Sequence, residues 1–162
     1  GDTILQVAGK TPRNYIEFMR ELNAAGSDKP VERLIRRAGG QQRWSARLTP
    51  ERDFFNADLV RQRLGLHVQE LTRELAANMG FPFFGGFVVA EVDKDSPAAE
   101  AKFEKYFVIR GVDNQPARDL VELGRALHAK KAGDTARINV IVPPKRGSFG
   151  GFREGSVPVK LK

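Results

Sequence analysis

Gly86-Phe87-Val88-Val89-Ala90-Glu91-Val92, followed two residues later by Asp95-Ser96-Pro97-Ala98-Ala99-Glu100, is the stretch that decides the fold. Phe87 to Val92 is a short apolar run opened by glycine, the chemistry of a strand with buried faces. Ser96 is a helix cap, and Pro97 takes the first helical position, where its missing N–H costs nothing. A strand therefore runs almost directly into a short capped helix.

Reading outward, Leu66 to Leu71 is a second strand upstream, and a short helix starts at Thr72 and is ended by Gly80. Downstream, Phe107 to Val112 is a strand, Asp113-Asn114 a turn, and Asp119 to about Lys131 a helix. Thr135 to Val142 and Ser156 to Leu161 form a closing hairpin around a long Gly-rich loop, Pro143 to Gly155.

Part of this order occurs twice. Val7 falls on Val112, an offset of 112 − 7 = 105, and the same offset aligns Ile4 with Ile109, Arg13 with Arg118, Glu17 with Glu122, Arg20 with Arg125, Leu22 with Leu127 and Ala24 with Ala129. Thr3 to Ala8 is then a strand, Gly9-Lys10 a turn, and Asn14 the cap of a helix whose Tyr15, Phe18, Met19 and Leu22 share one apolar face. Gly26 stops that helix; Val31 to Arg37, a hairpin at Ala38-Gly39-Gly40, and Arg43 to Leu48 complete the copy. The first copy lacks the upstream strands and the Ser-Pro-Ala-Ala helix. The expected organisation is a half-domain at 1–49, a linker at 50–61 whose Phe54 and Phe55 suggest that it packs, and a complete domain at 62–162.

Composition bounds the chemistry. The 162 residues include 41% apolar and 29% charged residues, 16 Gly, 9 Pro and no Cys, which describes a globular chain long enough to bury a core without disulfides. Absence of cysteine excludes thiol nucleophiles and Cys-based zinc sites and leaves the redox compartment open. No apolar run approaches the roughly 20 residues of a membrane span. The net charge of +7 is spread evenly, +4 over residues 1–63 and +3 over 64–162, rather than gathered into an aromatic-interleaved stripe, so nucleic acid is not an expected partner. Arg36-Arg37 and Lys145-Arg146 read as solvated hairpin ends.

The quoted residues resemble a PDZ domain. Leu64-Gly65-Leu66-His67-Val68 looks like the carboxylate-binding loop and following strand of that family, Gly86 to Val92 with Asp95 to Ala99 its central stretch, and Gly1 to Val7 with Gly9-Lys10 its strand-and-turn motif. Leu71-Thr72-Arg73-Glu74-Leu75-Ala76 is most similar to the HtrA/Do group, serine proteases that carry one or two PDZ domains after the catalytic domain. Where the family has Pro-Gly-Asp, this chain has Lys105-Tyr106-Phe107, so that turn must be built differently. The resemblance implies an α+β fold in tandem, with short antiparallel strands forming a partly open barrel capped by two helices. It further implies recognition of C-terminal or unfolded peptide segments, a protease domain upstream, no cofactor, and a periplasmic or otherwise extracytoplasmic place.

In such a domain a peptide adds itself as a strand beside Leu66 to Leu71, its terminal carboxylate held by backbone N–H groups of Arg63-Leu64-Gly65-Leu66, with His67 and Val68 continuing the edge. Across the groove, matching Ala126-Leu127 to the end of the family's groove helix puts Leu120, Gly124 and Leu127 at its first, fifth and eighth positions, facing the peptide. Leu120 would then make an apolar pocket two residues before the peptide's end. As ordinary amphipathic-helix leucines, Leu120 and Leu127 are equally well read as core.

Catalysis has little to stand on. His67 and His128 sit in no nucleophile or metal motif, and Gly147-Ser148-Phe149-Gly150-Gly151 lacks the Ser-Gly-Gly order of a serine-protease loop and reads as a hairpin tip. The expectation is a binding module rather than an enzyme. The alternatives are a structural or assembly PDZ module of a membrane-associated or tail-processing protease, whose groove a neighbour fills, and an enzyme with an unrecognised site. Half a domain at 1–49 also leaves apolar faces to be covered, by an upstream segment as first expectation, or by packing against a neighbour or self-association.

Overall fold

The computed structural model describes residues 2–144 and 151–162. The Gly147 to Gly151 turn and Lys145-Arg146 fall largely outside that range. The chain divides into two compact units, Gly1–Pro50 and Glu51–Lys162.

The first unit is a three-stranded antiparallel sheet in the order β1 (Thr3–Val7), β2 (Val31–Arg37), β3 (Gly40–Ala46), with one helix, α1 (Tyr15–Ala24), between β1 and β2. Asn14 caps α1 by accepting from the Glu17 N–H at 2.9 Å. Ala38 and Gly39 alone connect β2 to β3, since Arg37 already pairs with Gly40, so β3 starts three residues before the expected Arg43. No residue of α1 is fully buried, and Tyr15 and Ile16 are 73% and 78% exposed. The expected apolar face of α1 is therefore only partly covered.

The second unit opens with two helices, α2 (Glu51–Phe54) and α3 (Ala57–Leu64), and continues β4 (Leu66–Glu70), α4 (Arg73–Met79), β5 (Phe87–Val92), α5 (Pro97–Glu100), β6 (Val108–Val112), β7 (Gln115–Pro116), α6 (Leu120–His128), β8 (Thr135–Val142) and β9 (Arg153–Lys160). Its strands pair antiparallel in the order β4-β5-β6-β8-β9, with β7 paired to β6. All the helix starts expected here are observed, with Thr72, Ser96 and Asp119 as side-chain caps. One correction concerns residues 50–61, expected as a linker. They hold α2 and most of α3, because Val60 and Leu64 are fully buried in the main core and bind the segment to the unit that follows.

That core gathers Val60, Leu64, Leu66, Phe87, Val89, Leu123, Leu127 and Ile138 on one face of the sheet; Leu71, Ala76, Val88, Val108 and Ile141 form a smaller cluster under α4. Burying these apolar side chains, each worth about 1.5 to 3 kcal/mol, is what the sheet is built to do. The unusual turn at Lys105-Tyr106-Phe107 is made by Tyr106 adopting φ 76°, with its N–H bonded to the Val89 carbonyl and the Phe107 carbonyl accepting from Val89.

The repeat is structural to the residue. The bounds of β1 and β6, and the starts of α1 and α6, differ by 105. The register does too. Thr3 pairs with Arg36 as Val108 with Ile141, and both strand pairs slip their register at the same place, between Ile4 and Gln6 and between Ile109 and Gly111. The offset breaks only after Arg37 and Val142, where a two-residue hairpin faces the longer connection from Val142 to Arg153.

Candidate functional site

Gly65 is the pivot between α3 and β4. It ends α3 at φ 76° and ψ 31°, a left-handed conformation that glycine adopts without strain. A Cβ there would lie 2.2 Å from the Ser96 Cβ, so the close approach of the chain to the start of α5 also requires glycine. Its N–H donates to the Arg61 carbonyl at 2.7 Å, and its carbonyl accepts from Asp93 N–H at 2.8 Å.

This arrangement corrects one expectation. Arg63 to Leu66 do not form an open row of free N–H groups, because Arg63 and Leu64 belong to α3 and the Gly65 N–H closes that helix. Leu64 and Leu66 are fully buried in the core. Arg63 instead reaches α6, donating through Nη2 to the carbonyls of Lys130 at 2.7 Å and Leu127 at 3.4 Å and through Nη1 to that of Lys162.

β4 begins the strand order and, among the described residues, pairs with β5 along one side only. Val68 is buried, whereas His67 is half-buried and meets Asp93 through Nε2 at 2.9 Å. Arg61 Nε donates to the other Asp93 oxygen at 3.1 Å. The hydrogen bond with His67, then that with Arg61, hold the Asp93 carboxyl below the usual carboxylate range.

On α6, Gly124 and Leu127 are buried and Leu120 is half-buried against the core. Phe55, just after α2, lies on the helix at Gly124: a Cβ on that glycine would sit 2.9 Å from the Phe55 Cβ. Phe54 and Phe55 present ring edges to His128, at centroid distances of 5.1 and 5.7 Å, and Arg125 pairs with Glu51 at 2.7 Å. His128 is thus an aromatic contact of α2. Nothing in the residue types of 51–55 beyond the paired phenylalanines pointed to this role; a glycine in the middle of a helix was the other available signal, because a residue without a side chain there lets another stretch of backbone approach closely.

Among the described residues no group of three or more His, Cys, Asp or Glu side chains is placed to hold a metal ion, and no helix is long and apolar enough to cross a membrane.

Residues 62–144, half of the chain, match the PDZ domain family model, and the chain belongs to that family. Its resemblance to the HtrA/Do group extends to curated relatives. The "probable periplasmic serine endoprotease DegP-like" of Pseudomonas fluorescens strain Pf-5 is 34% identical over 83 residues, covering 51% of this chain and 17% of the relative. The protein of the same name from Rhizobium meliloti is 27% identical over 77 residues, covering 48% and 15%. The chain thus spans only about a sixth of the length of these relatives. Among solved structures, the HtrA-type protease AlgW with decapeptide aligns at 28% identity and a TM-score of 0.46, over 60% of this chain and 28% of that one.

Proposed function

We propose that the second unit binds extended peptide segments, their free C-termini in particular, as the peptide-recognition module of an extracytoplasmic serine endoprotease of the HtrA/Do group whose catalytic domain lies outside this chain. The observation that carries the reading is the position of β4. Leu66–Glu70 ends the strand order, pairs among the described residues only with β5, and shares its core with Leu120, Leu123 and Leu127 of α6, so a peptide can extend the sheet beside that helix. Main-chain hydrogen bonds would supply affinity, and the half-buried Leu120 with Gly124 the choice of side chain, whereas Leu127, expected to face the peptide, is fully buried in the core. Membership in the PDZ family and the names of the relatives support both the module and its compartment. On this reading the first unit is the C-terminal half of a second PDZ domain, since it repeats the strands, helix cap and register of β6, α6, β8 and β9.

Calorimetry with matched free-acid and amidated octapeptides ending in an apolar residue, with another two positions before it, tests the proposal. The expected Kd is micromolar, about −8 kcal/mol, for the free acid, with most of that affinity lost on amidation. Equal affinity for both forms would rule out recognition of the terminal carboxylate and leave the β4 edge alone as the source of binding.

A further inference from the structure

The two helices that open the second unit are held very differently. α3 is anchored by Val60 and Leu64, both fully buried, whereas no residue of α2 is buried. Asn56 separates them, capping α3 by accepting from Asp58 and Leu59 N–H groups while its own side-chain amide donates to the Asp53 carbonyl. What keeps the 51–55 segment on α6 is the backbone and Cβ of Phe55 packed against Gly124, the edge contacts of the Phe55 ring with His128 and the exposed Glu51–Arg125 ion pair. Exposed pairs of this kind hold weakly. The segment is therefore fastened at one end and lightly docked at the other.

Its docking point is Gly124, the middle one of the three α6 positions assigned above to the peptide. We propose that Phe55 is a built-in occupant of the groove: residues 51–55 fold back onto α6, and an incoming peptide must displace them before its own side chain can stand at Gly124. This inference rests on the groove reading proposed above. It also names the ligand's chemistry. The side chain that replaces Phe55 is aromatic or similarly large and apolar, because it takes over the Phe55 ring's place beside His128 and Arg125 while its own backbone packs on Gly124, and an acidic residue nearby in the peptide takes over Arg125 from Glu51. A site open for only a fraction of the time binds with an apparent Kd raised by that fraction.

The test is a fluorescence titration of the whole 162-residue chain, and of its Phe55→Ala variant, with a labelled octapeptide ending Phe-Ala-Phe with a free carboxylate. The variant is expected to bind about tenfold more tightly, the gain from a groove that was open about one tenth of the time. Equal affinity in both proteins would show that Phe55 does not compete while leaving the groove intact. Weaker binding by the variant would make Phe55 part of the ligand's platform and overturn the proposal. Binding by neither, with both melting cooperatively, would remove the groove reading and this inference with it. Should Phe55→Ala fail to fold, Glu51→Lys removes the ion pair without touching the core. It should shift affinity in the same direction by a smaller factor, and in the unaltered chain the peptide should speed amide exchange at 51–55. Unchanged affinity together with unchanged exchange would sink the idea.

Discussion

Arg63 donates through Nη2 to the carbonyl oxygen of Lys130 at 2.7 Å, fastening the end of α3 to the chain just past α6. The same guanidinium bonds the carbonyls of Leu127 and Lys162. Arg63→Ala leaves these acceptors without their donor and should cost about 2 kcal/mol in chemical denaturation. Arg63→Lys should recover only part of it, since one ammonium cannot span three carbonyls as a planar fork does. Full recovery by lysine would mean that charge alone matters there.

Two glycines separate backbone strain from overlap. Gly65 and Gly80 both end helices with positive φ, 76° and 67°, but only a Cβ on Gly65 meets another residue, Ser96. Gly80→Ala should cost about 1 kcal/mol, the left-handed penalty alone. Gly65→Ala should cost about 3 kcal/mol, overlap having been added. Combining it with Ser96→Gly removes the overlap but also the cap of α5, so recovery in thermal melts should be partial.

Lys102 is exposed and adopts φ 63° just after α5, its N–H bonded to the Ala99 carbonyl. Lys102→Gly should stabilise the second unit by roughly 0.5 to 1 kcal/mol, because glycine takes this conformation freely and no buried contact is lost. A drop in melting temperature would contradict that account.

The Asp93 carboxyl, lowered by His67 and Arg61, links stability to acid. An unfolded aspartate titrates at about 3.9, so the stabilisation is fully present above that pH and is lost as pH falls through the lower folded value. Asp93→Asn should therefore be less stable than the parent at pH 6, and the gap should close below about pH 4. A gap constant between pH 6 and 3 would show that hydrogen-bond geometry, not ionisation, holds the pair.

Local chemistry made most of the fold legible. Asn14, Thr72, Ser96 and Asp119 announce helix starts through the one feature a cap needs, a short side-chain acceptor, and each accepts as expected. The repeat was readable to Ala24 by identity, yet its register continues through Val31–Arg37 and Ala136–Val142, where no letters match. Pairing is set by main-chain hydrogen bonds and alternation, which many residue types satisfy. The site was legible in outline only. Gly65, Leu120, Gly124 and Leu127 could be placed on their elements, but whether the Gly65 N–H faces a ligand or closes α3 depends on where the preceding residues go. That was decided by Val60 and Leu64 entering a core assembled from distant strands, and no local pattern at 50–61 encodes such a choice.

The two ends of the second unit's strand order are chemically unlike. β9 carries Arg153, Glu154, Pro158 and Lys160, a proline without an N–H and charges that discourage a further strand. β4 carries Leu66, His67 and Val68, with neither proline nor lysine. Open-ended polymerisation through sheets needs two receptive edges per molecule, one to join and one to be joined. Among the described strands of this sheet only β4 is a receptive end, so mispairing through the second unit's sheet joins two molecules and does not run on to a fibre.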